Sequence, residues 1–454
     1  MSSSLISKYN IPGPRYTSYP TVPYWNNDEF SLKEWKASLL RSFHESNQRE
    51  GISVYIHLPF CESMCTFCGC NKRITKNHGV EIPYLKSVLK EFQLYTELFD
   101  ERPIIKELHL GGGTPTFFTA ENLQMLLEGL FRKGKKTAHT ELSFEGHPNN
   151  TTEAHLKILA DLGFTRVSYG VQDYSETVQN AINRIQPFEN VQEVTQIARD
   201  LGYASVGHDV IFGLPFQKLE HIVHTIERTK ELLPDRIAFY SYAHVPWIKG
   251  SGQRGFKETD LPSAEEKRIQ YKTGKQMLLE SGYVEIGMDH FALKTDSLYT
   301  ALEQKTLHRN FMGYTNAKTQ VMIGLGSSAI SDSWYSFAQN VKGVEEYQDL
   351  VDRNIFPVYR GHILTQEDLI IRNHILNLMC KLETSWEDDR LYFTELPNVL
   401  IRLAEMEKDQ LIEIGSNRLK VLEKGRPFIR NICMAFDLLL QRKMPETQLF
   451  SMTI

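Results

Sequence analysis

The chain has 454 residues, 41% apolar and 24% charged, enough to bury a large core in a catalytic domain with a smaller one beside it. A net charge of -5 and a pI near 6.3 give no basic footprint for nucleic acid. No apolar run of about 18 residues offers a membrane span, and the N-terminus lacks a secretory apolar core, so a reducing cytoplasm with free cysteines is expected.

Residues 9–26 carry four prolines and a glycine among five aromatics, which rules out a helix. Two readings are open for this stretch. It is a strap over the core, or a stiff aromatic arm that caps an active-site mouth at small entropic cost.

Residues 54–58 are an apolar run that reads as a buried strand, ended by Pro59. Beyond it lie Cys61, Cys65 and Cys68 in C-x3-C-x2-C spacing, with Cys70 two residues on. Three thiolates on one loop can each take one iron of a four-iron, four-sulfur cube, leaving the fourth iron open to an exchangeable ligand. Zinc is the alternative, but no second C-x2-C or H-x3-H pair lies downstream to complete such a site. Six cysteines, four of them crowded together, make no useful disulfide framework for so long a chain.

Tyr84, Leu85, Val88, Leu89, Phe92 and Tyr95 then mark one face of a helix. Strand patterns at 107–110, 141–145, 166–171, 204–212 and 236–243 alternate with helix patterns at 121–131, 153–162, 191–201, 221–233 and 264–279. This repetition describes a parallel sheet with helices outside, as a barrel or as an open sheet. The strand ends carry Gly111-Gly112-Gly113-Thr114, Glu145, Gln172 and, a little beyond, Arg184, while Asp209 lies mid-strand. Each reads singly as a structural polar residue; together they describe a ligand-lined mouth.

Residues 284–330 mix ring, guanidinium, amide and phenol groups without an amphipathic period, as a working loop or a clasp between domains would. From about 357 the pattern becomes helix, helix, hairpin, helix, which is winged-helix-like, and the first of these helices opens on a capping-box-like Thr365-Gln-Glu-Asp368. Cys380 and Cys433 sit on apolar faces and read as core residues.

The run Tyr55-x-His-x-Pro-Phe-Cys61-x3-Cys65-x-Phe67-Cys68-Gly-Cys70-Asn71 resembles the signature of the radical S-adenosylmethionine enzymes. Among them it is similar to the oxygen-independent coproporphyrinogen III oxidases, as are PRYTSYPT at 14–21, GGGTPT at 111–116 and HRNFMGYT at 308–315. The resemblance implies an α/β fold with a partial (β/α)6 TIM-like barrel. It divides the chain into an N-terminal arm (1–45), a barrel domain with extension (46–356) and a small, mostly helical C-terminal domain (357–454). It also implies a [4Fe-4S] cluster on Cys61, Cys65 and Cys68, and two molecules of S-adenosylmethionine. Tyr55, Gly112, Glu145 and Ile330 would contact the first of these, and Phe67, Gly113, Thr114, Gln172, Arg184, Asp209 and Ala243 the second. Gly146-His147-Pro148 departs from the family pattern, which weakens any role for position 147.

The implied reaction generates a 5'-deoxyadenosyl radical and converts two propionates of coproporphyrinogen III to vinyl groups, giving protoporphyrinogen IX. Cys70, Arg15, His290, His308, Arg309 and Tyr314 are then substrate-side candidates, and Arg15, Arg184 and Arg309 are cations suited to its carboxylates. The implied partners are this substrate and a one-electron donor such as flavodoxin or ferredoxin, with a monomeric enzyme and no nucleic acid or membrane. A haem-chaperone paralogue is the main rival, but it lacks the PRYTSYPT arm and the Cys-Gly-Cys-Asn ending; a radical methyltransferase is the second.

Overall fold

Six strands alternate with helices because apolar residues recur every second position in one set and every third or fourth in the other. A computed structural model describes residues 3–247, 252–253 and 255–453. Its strands β1 (Ile52–Leu58), β2 (Ile104–Gly112), β3 (Lys135–Gly146), β4 (Arg166–Gln172), β5 (Ser205–Phe212) and β6 (Arg236–Ser241) pair in chain order, all parallel. They form an open, partial barrel, since the sheet's two end strands do not meet. Its helices lie within a few residues of the expected ones, among them Ala120–Lys133, Phe188–Asp200, Leu219–Leu232 and Ala264–Glu280.

The alternation along β1 sorts the chemistry. Ile52, Val54, Ile56 and Leu58 are fully buried against the outer helices, in one cluster with Trp35, Phe43, Tyr84 and Phe92. Ser53, Tyr55 and His57 therefore face the lumen. The same sorting sends Leu142 and Phe144 outward on β3 and Glu145 inward, and Val206 and Val210 outward on β5 and Asp209 inward.

The sheet extends well beyond these six strands. Val321–Leu325 pairs parallel with β1, and 330–332, 336–340 and 358–363 follow antiparallel. At the other end, His290–Ala292 pairs antiparallel with β6 and with Val284–Gly287, making twelve strands among the described residues. The edge strand Val358–Ile363 thus belongs to the large sheet, although it lies past the change of pattern at 357. Helix Leu32–Ser46 likewise packs Trp35, Leu39 and Phe43 into the main core rather than continuing the arm.

The C-terminal unit begins at helix Gln366–Lys381, where Thr365 and Asp368 cap each other reciprocally. It continues with Leu396–Lys408, Ile429–Phe436 and Leu438–Arg442, around a small sheet of 383–385, 412–414 and 418–421. The first residues of the chain join this unit: Tyr9, Tyr16 and Tyr19 are buried among its apolar side chains. Buried Arg430 donates to the carbonyls of Pro14 (2.9 Å) and Met452 (2.9 Å), and also to that of Gly13. Trp25 stacks on Phe337 of the sheet extension, with ring centroids 5.4 Å apart. Among the described residues no helix is long and apolar enough to cross a membrane.

Arg430 is thus a buried cation that holds the arm by backbone carbonyls alone. Replacing it with Met leaves those acceptors unpaired, at a cost on the order of 3 kcal/mol. Thermal unfolding of R430M is expected to shift down, and limited proteolysis to release the first twenty residues sooner; unchanged unfolding and cleavage would contradict this anchoring.

Candidate functional site

The cysteine loop has no regular structure of its own, so its position comes from what it bonds to. Phe60–Cys61 makes a short parallel pairing with Arg73–Ile74, in which the Thr75 amide donates to the Cys61 carbonyl at 2.9 Å. The Thr66 amide and hydroxyl donate to the carbonyls of Ile182 and Ala181, both at 2.9 Å, and Asn183 Nδ2 donates to the Met64 carbonyl at 2.8 Å. Gln253 Nε2 bridges the Phe67 carbonyl (2.9 Å) and the Ala243 carbonyl (3.0 Å), tying the loop to the segment after β6.

His57 pins the loop's far end. Its Nε2 lies 2.9 Å from the Asn71 carbonyl, so this nitrogen carries the proton, and Nδ1 accepts from the Tyr55 hydroxyl at 3.1 Å. Burial lowers the imidazole pKa and keeps the ring neutral, as this arrangement requires. In the sequence His57 stands out only as a letter of the cysteine motif, and no local pattern points to Gln253.

Two donors point at the cysteine sulfurs. Thr114 Oγ1 donates to Cys61 Sγ at 3.3 Å and Arg184 Nη1 to Cys65 Sγ at 3.7 Å. Burial pushes the Cys61 thiol up to about 11, against which the Thr114 hydrogen bond acts. The Cys68 thiol is pulled down to about 6, first by the Cys70 thiol beside it and then by Lys72. Metal ligation needs thiolates, and these donors favour that form.

The cysteines open onto a cavity of about 370 Å³ lined by Gly112, Gly113, Thr114, Glu145, Gln172, Arg184 and Asp209. Gly112 adopts φ +119°, and its amide donates to Glu145 Oε2 at 3.2 Å. At Gly113 an added Cβ would stand 2.6 Å from the Pro59 carbonyl oxygen and 3.0 Å from Cys61 Sγ. Arg184 Nη2 donates to the Gly170 carbonyl at 2.6 Å, while its buried Nε has no partner among the described residues. Asp209 accepts from Ser168 Oγ at 3.1 Å; burial, reinforced by Glu145, pushes its carboxyl up to about 7.

A cradle closed to any side chain at 113, an unpartnered guanidinium N–H and three cysteines fit a cluster with an amino-acid-bearing ligand beside it. Among the described residues no three His, Cys, Asp or Glu side chains converge to hold a single metal ion. A cube differs in this respect, because it takes each thiolate at a separate corner.

Behind this cavity a second one runs through the lumen, lined by Asp209, Tyr240, His290 and Tyr314 among others. The Tyr240 hydroxyl donates to His290 Nε2 at 3.2 Å, and His290 Nδ1 donates to the Met288 carbonyl at 2.7 Å. Burial takes His290 down to about 4, so it stays neutral.

Other expected residues are not brought to these two cavities. Ile330 packs with Trp25 and Phe337. His308 is buried and held neutral, its pKa near 3, by desolvation and then by Arg372. Arg309, expected to meet a carboxylate, is buried over the Tyr314 ring at 4.5 Å and donates to the carbonyls of Tyr16 and Arg15. Arg15 pairs with Asp289 at 3.3 Å and donates to the Ser241 carbonyl at 3.0 Å. His147, whose role the family pattern weakened, does line the cysteine cavity, neutral through burial and the neighbouring Arg184.

Residues 55–229 match the model of the radical SAM superfamily. The oxygen-independent coproporphyrinogen III oxidase of Synechocystis sp. is 37% identical, over 100% of this chain and 98% of its own length. Its counterpart in Escherichia coli K12 is 38% identical over 99% and 98%. The chain belongs to the oxygen-independent coproporphyrinogen III oxidase family. A relative from Helicobacter pylori, 37% identical over 96% of both chains, extends the same likeness. The solved structure of the coproporphyrinogen III oxidase HemN from Escherichia coli, described as a radical SAM enzyme, superimposes with a TM-score of 0.89 at 35% identity, covering 96% of this chain and 98% of that one.

For this family member, C61A, C65A and C68A are each expected to abolish the brown chromophore after anaerobic reconstitution. C70A is expected to keep the iron and lose turnover; loss of iron in C70A would make Cys70 a ligand. G113A is expected to lower both the unfolding temperature and cluster loading, because its Cβ meets the Pro59 backbone rather than a movable side chain. Full loading in G113A would contradict the cradle.

Proposed function

We propose that the chain carries out the oxygen-independent oxidative decarboxylation of coproporphyrinogen III to protoporphyrinogen IX, with a [4Fe-4S] cluster on Cys61, Cys65 and Cys68. The observation that carries this reading is the full-length likeness to enzymes of that name, together with a cysteine loop that opens on a polar cavity at the barrel's strand ends. When bound, the cluster and S-adenosylmethionine supply a carbon radical able to take hydrogen from an unactivated carbon. Each substrate side chain then loses a hydrogen atom from its β-carbon, CO2, and one electron to an acceptor, leaving a vinyl group. A haem chaperone or a methyltransferase would not share this turnover.

The residues present support distinct tasks. The bare backbone of Gly112 and Gly113 admits close approach of a ligand next to Cys61. Glu145 is suited to a ribose hydroxyl pair, and the family resemblance assigns Tyr55 and Ile330 to the same ligand. Phe67, Thr114, Gln172, Arg184, Asp209 and Ala243 suit a second S-adenosylmethionine; the unpartnered Arg184 Nε is a ready donor for a carboxylate. Tyr314 and His290, which line the lumenal cavity, suit the substrate side, and so does Cys70, whose thiol lies beside Cys68 in the cysteine cavity. Neutral His290 and the protonated Tyr240 beside it make the lumen a place of fixed dipoles with few free charges. The reading extends to a monomer in the reducing cytoplasm, where none of the six cysteines needs a disulfide, and to an external one-electron donor of the flavodoxin or ferredoxin kind.

Anaerobic protein given coproporphyrinogen III, S-adenosylmethionine and a reductant is expected to release two CO2 per substrate and form a divinyl product. D209A is expected to raise the S-adenosylmethionine concentration for half-maximal turnover about tenfold, through loss of a hydrogen-bonding carboxyl. Tetrapyrrole binding without CO2 release would favour the chaperone and overturn the proposal.

A further inference from the structure

A third cavity adjoins the lumen: Tyr314 lines both it and the second, as Asp209 lines both the second and the first. It lies between the end of β6, helix Ala264–Glu280 and helix Ile429–Phe436, and Arg15, Lys267, Arg268, Arg426 and Arg430 line it. The two carboxylates there are already engaged. Glu285 is held by Lys275 at 2.9 Å and Arg426 at 3.1 Å, and Asp289 by Arg15 at 3.3 Å. Arg430 is turned to the carbonyls of the arm.

Lys267 is different. Among the described residues its ammonium has no ion pair and no hydrogen bond; its recorded neighbour is the Tyr242 ring, 6.0 Å to the centroid. Burial and then Arg15 lower its pKa, so two cations share low-dielectric space with no carboxylate to offset the second.

The position is built. Gly213, at the end of β5 with φ +81°, has no side chain, and an added Cβ there would stand 2.8 Å from Lys267 Cε. One turn further along the helix, Gln270 accepts from the Gly213 amide at 3.0 Å and donates to the Gln217 carbonyl at 2.8 Å. The lysine stem is thereby laid across the strand end, toward Arg15.

We propose that Lys267, with Arg15, anchors a carboxylate of the substrate that is not being decarboxylated, and so sets which propionate reaches the cysteine cavity. The inference rests on the substrate reading above. A tetracarboxylate that offers one propionate to the cysteines carries others that need counter-charge elsewhere, and chained cavities ending in an uncompensated ammonium supply it. Lysine gives a point charge and arginine a fork, a pair that grips a carboxylate from two sides.

The test titrates the reconstituted protein with coproporphyrin III, the stable oxidised form, and with its uncharged tetramethyl ester, by fluorescence in the same detergent buffer. K267M is expected to weaken coproporphyrin III binding about tenfold while leaving the ester within twofold, and K267R to restore most of the loss. In turnover, KM for coproporphyrinogen III is expected to rise by a similar factor with kcat largely kept. Should K267M not fold, K267Q carries the same expectations. Binding equal to wild type, parallel weakening of the ester, or no rescue by arginine would overturn the anchor. Wild-type protein with no turnover of coproporphyrinogen III would sink the functional reading as well, whereas normal turnover with charge-blind binding would sink the anchor alone.

Discussion

The period-two alternation of β1 is the constraint on which the site depends. One set of its side chains is committed to the outer helices by full burial, so the other set has no choice but the lumen. That commitment aims Tyr55 and His57 inward and delivers the chain to Pro59 at the barrel mouth. A slip of one residue would turn Ile56 into the lumen and His57 into an apolar core. It would also part His57 from the Asn71 carbonyl that it pins at 2.9 Å. The cysteine loop's shape is thus inherited from a strand's packing, through hydrogen bonds to residues 181–183 and to Gln253.

The same sorting explains why the lumen is polar without being a field of free charge. His57 and His290 are neutral through burial, Tyr240 stays protonated, and burial pushes Asp209 up to about 7. Charges that remain, such as Arg184, point at sulfur or are left with an N–H to give. Such an interior suits reactive intermediates, because fixed dipoles replace mobile water.

Much of this was legible before any coordinates. The barrel's β-α order follows from alternation and helical period, and the strand read at 166–171 is Arg166–Gln172 in the structure. The cysteines and the glycines at 112 and 113 announce themselves by spacing and by the absence of side chains. Less legible were strands such as Ile330–Asp332 and Ser336–Asn340, which are short, rich in serine and small residues, and buried on both faces, so they lack alternation. Helix Leu32–Ser46 was hidden inside a segment judged by its proline-rich beginning. Gln253 and the carbonyls of Ala181 and Ile182 leave no local pattern, because backbone-directed bonds join distant segments. Arg309, a cation in a loaded motif, gives Nε and Nη2 to the carbonyls of Tyr16 and Arg15, a use that the motif does not announce.

The central claim is that three thiolates hold a cube whose fourth iron is open inside this cavity. Electron paramagnetic resonance of the anaerobically reconstituted protein, reduced and then mixed with S-adenosylmethionine, tests it most directly. The account predicts a low-spin signal of a reduced four-iron cluster whose shape changes when the ligand is added. No such signal, or one indifferent to the ligand, would contradict it.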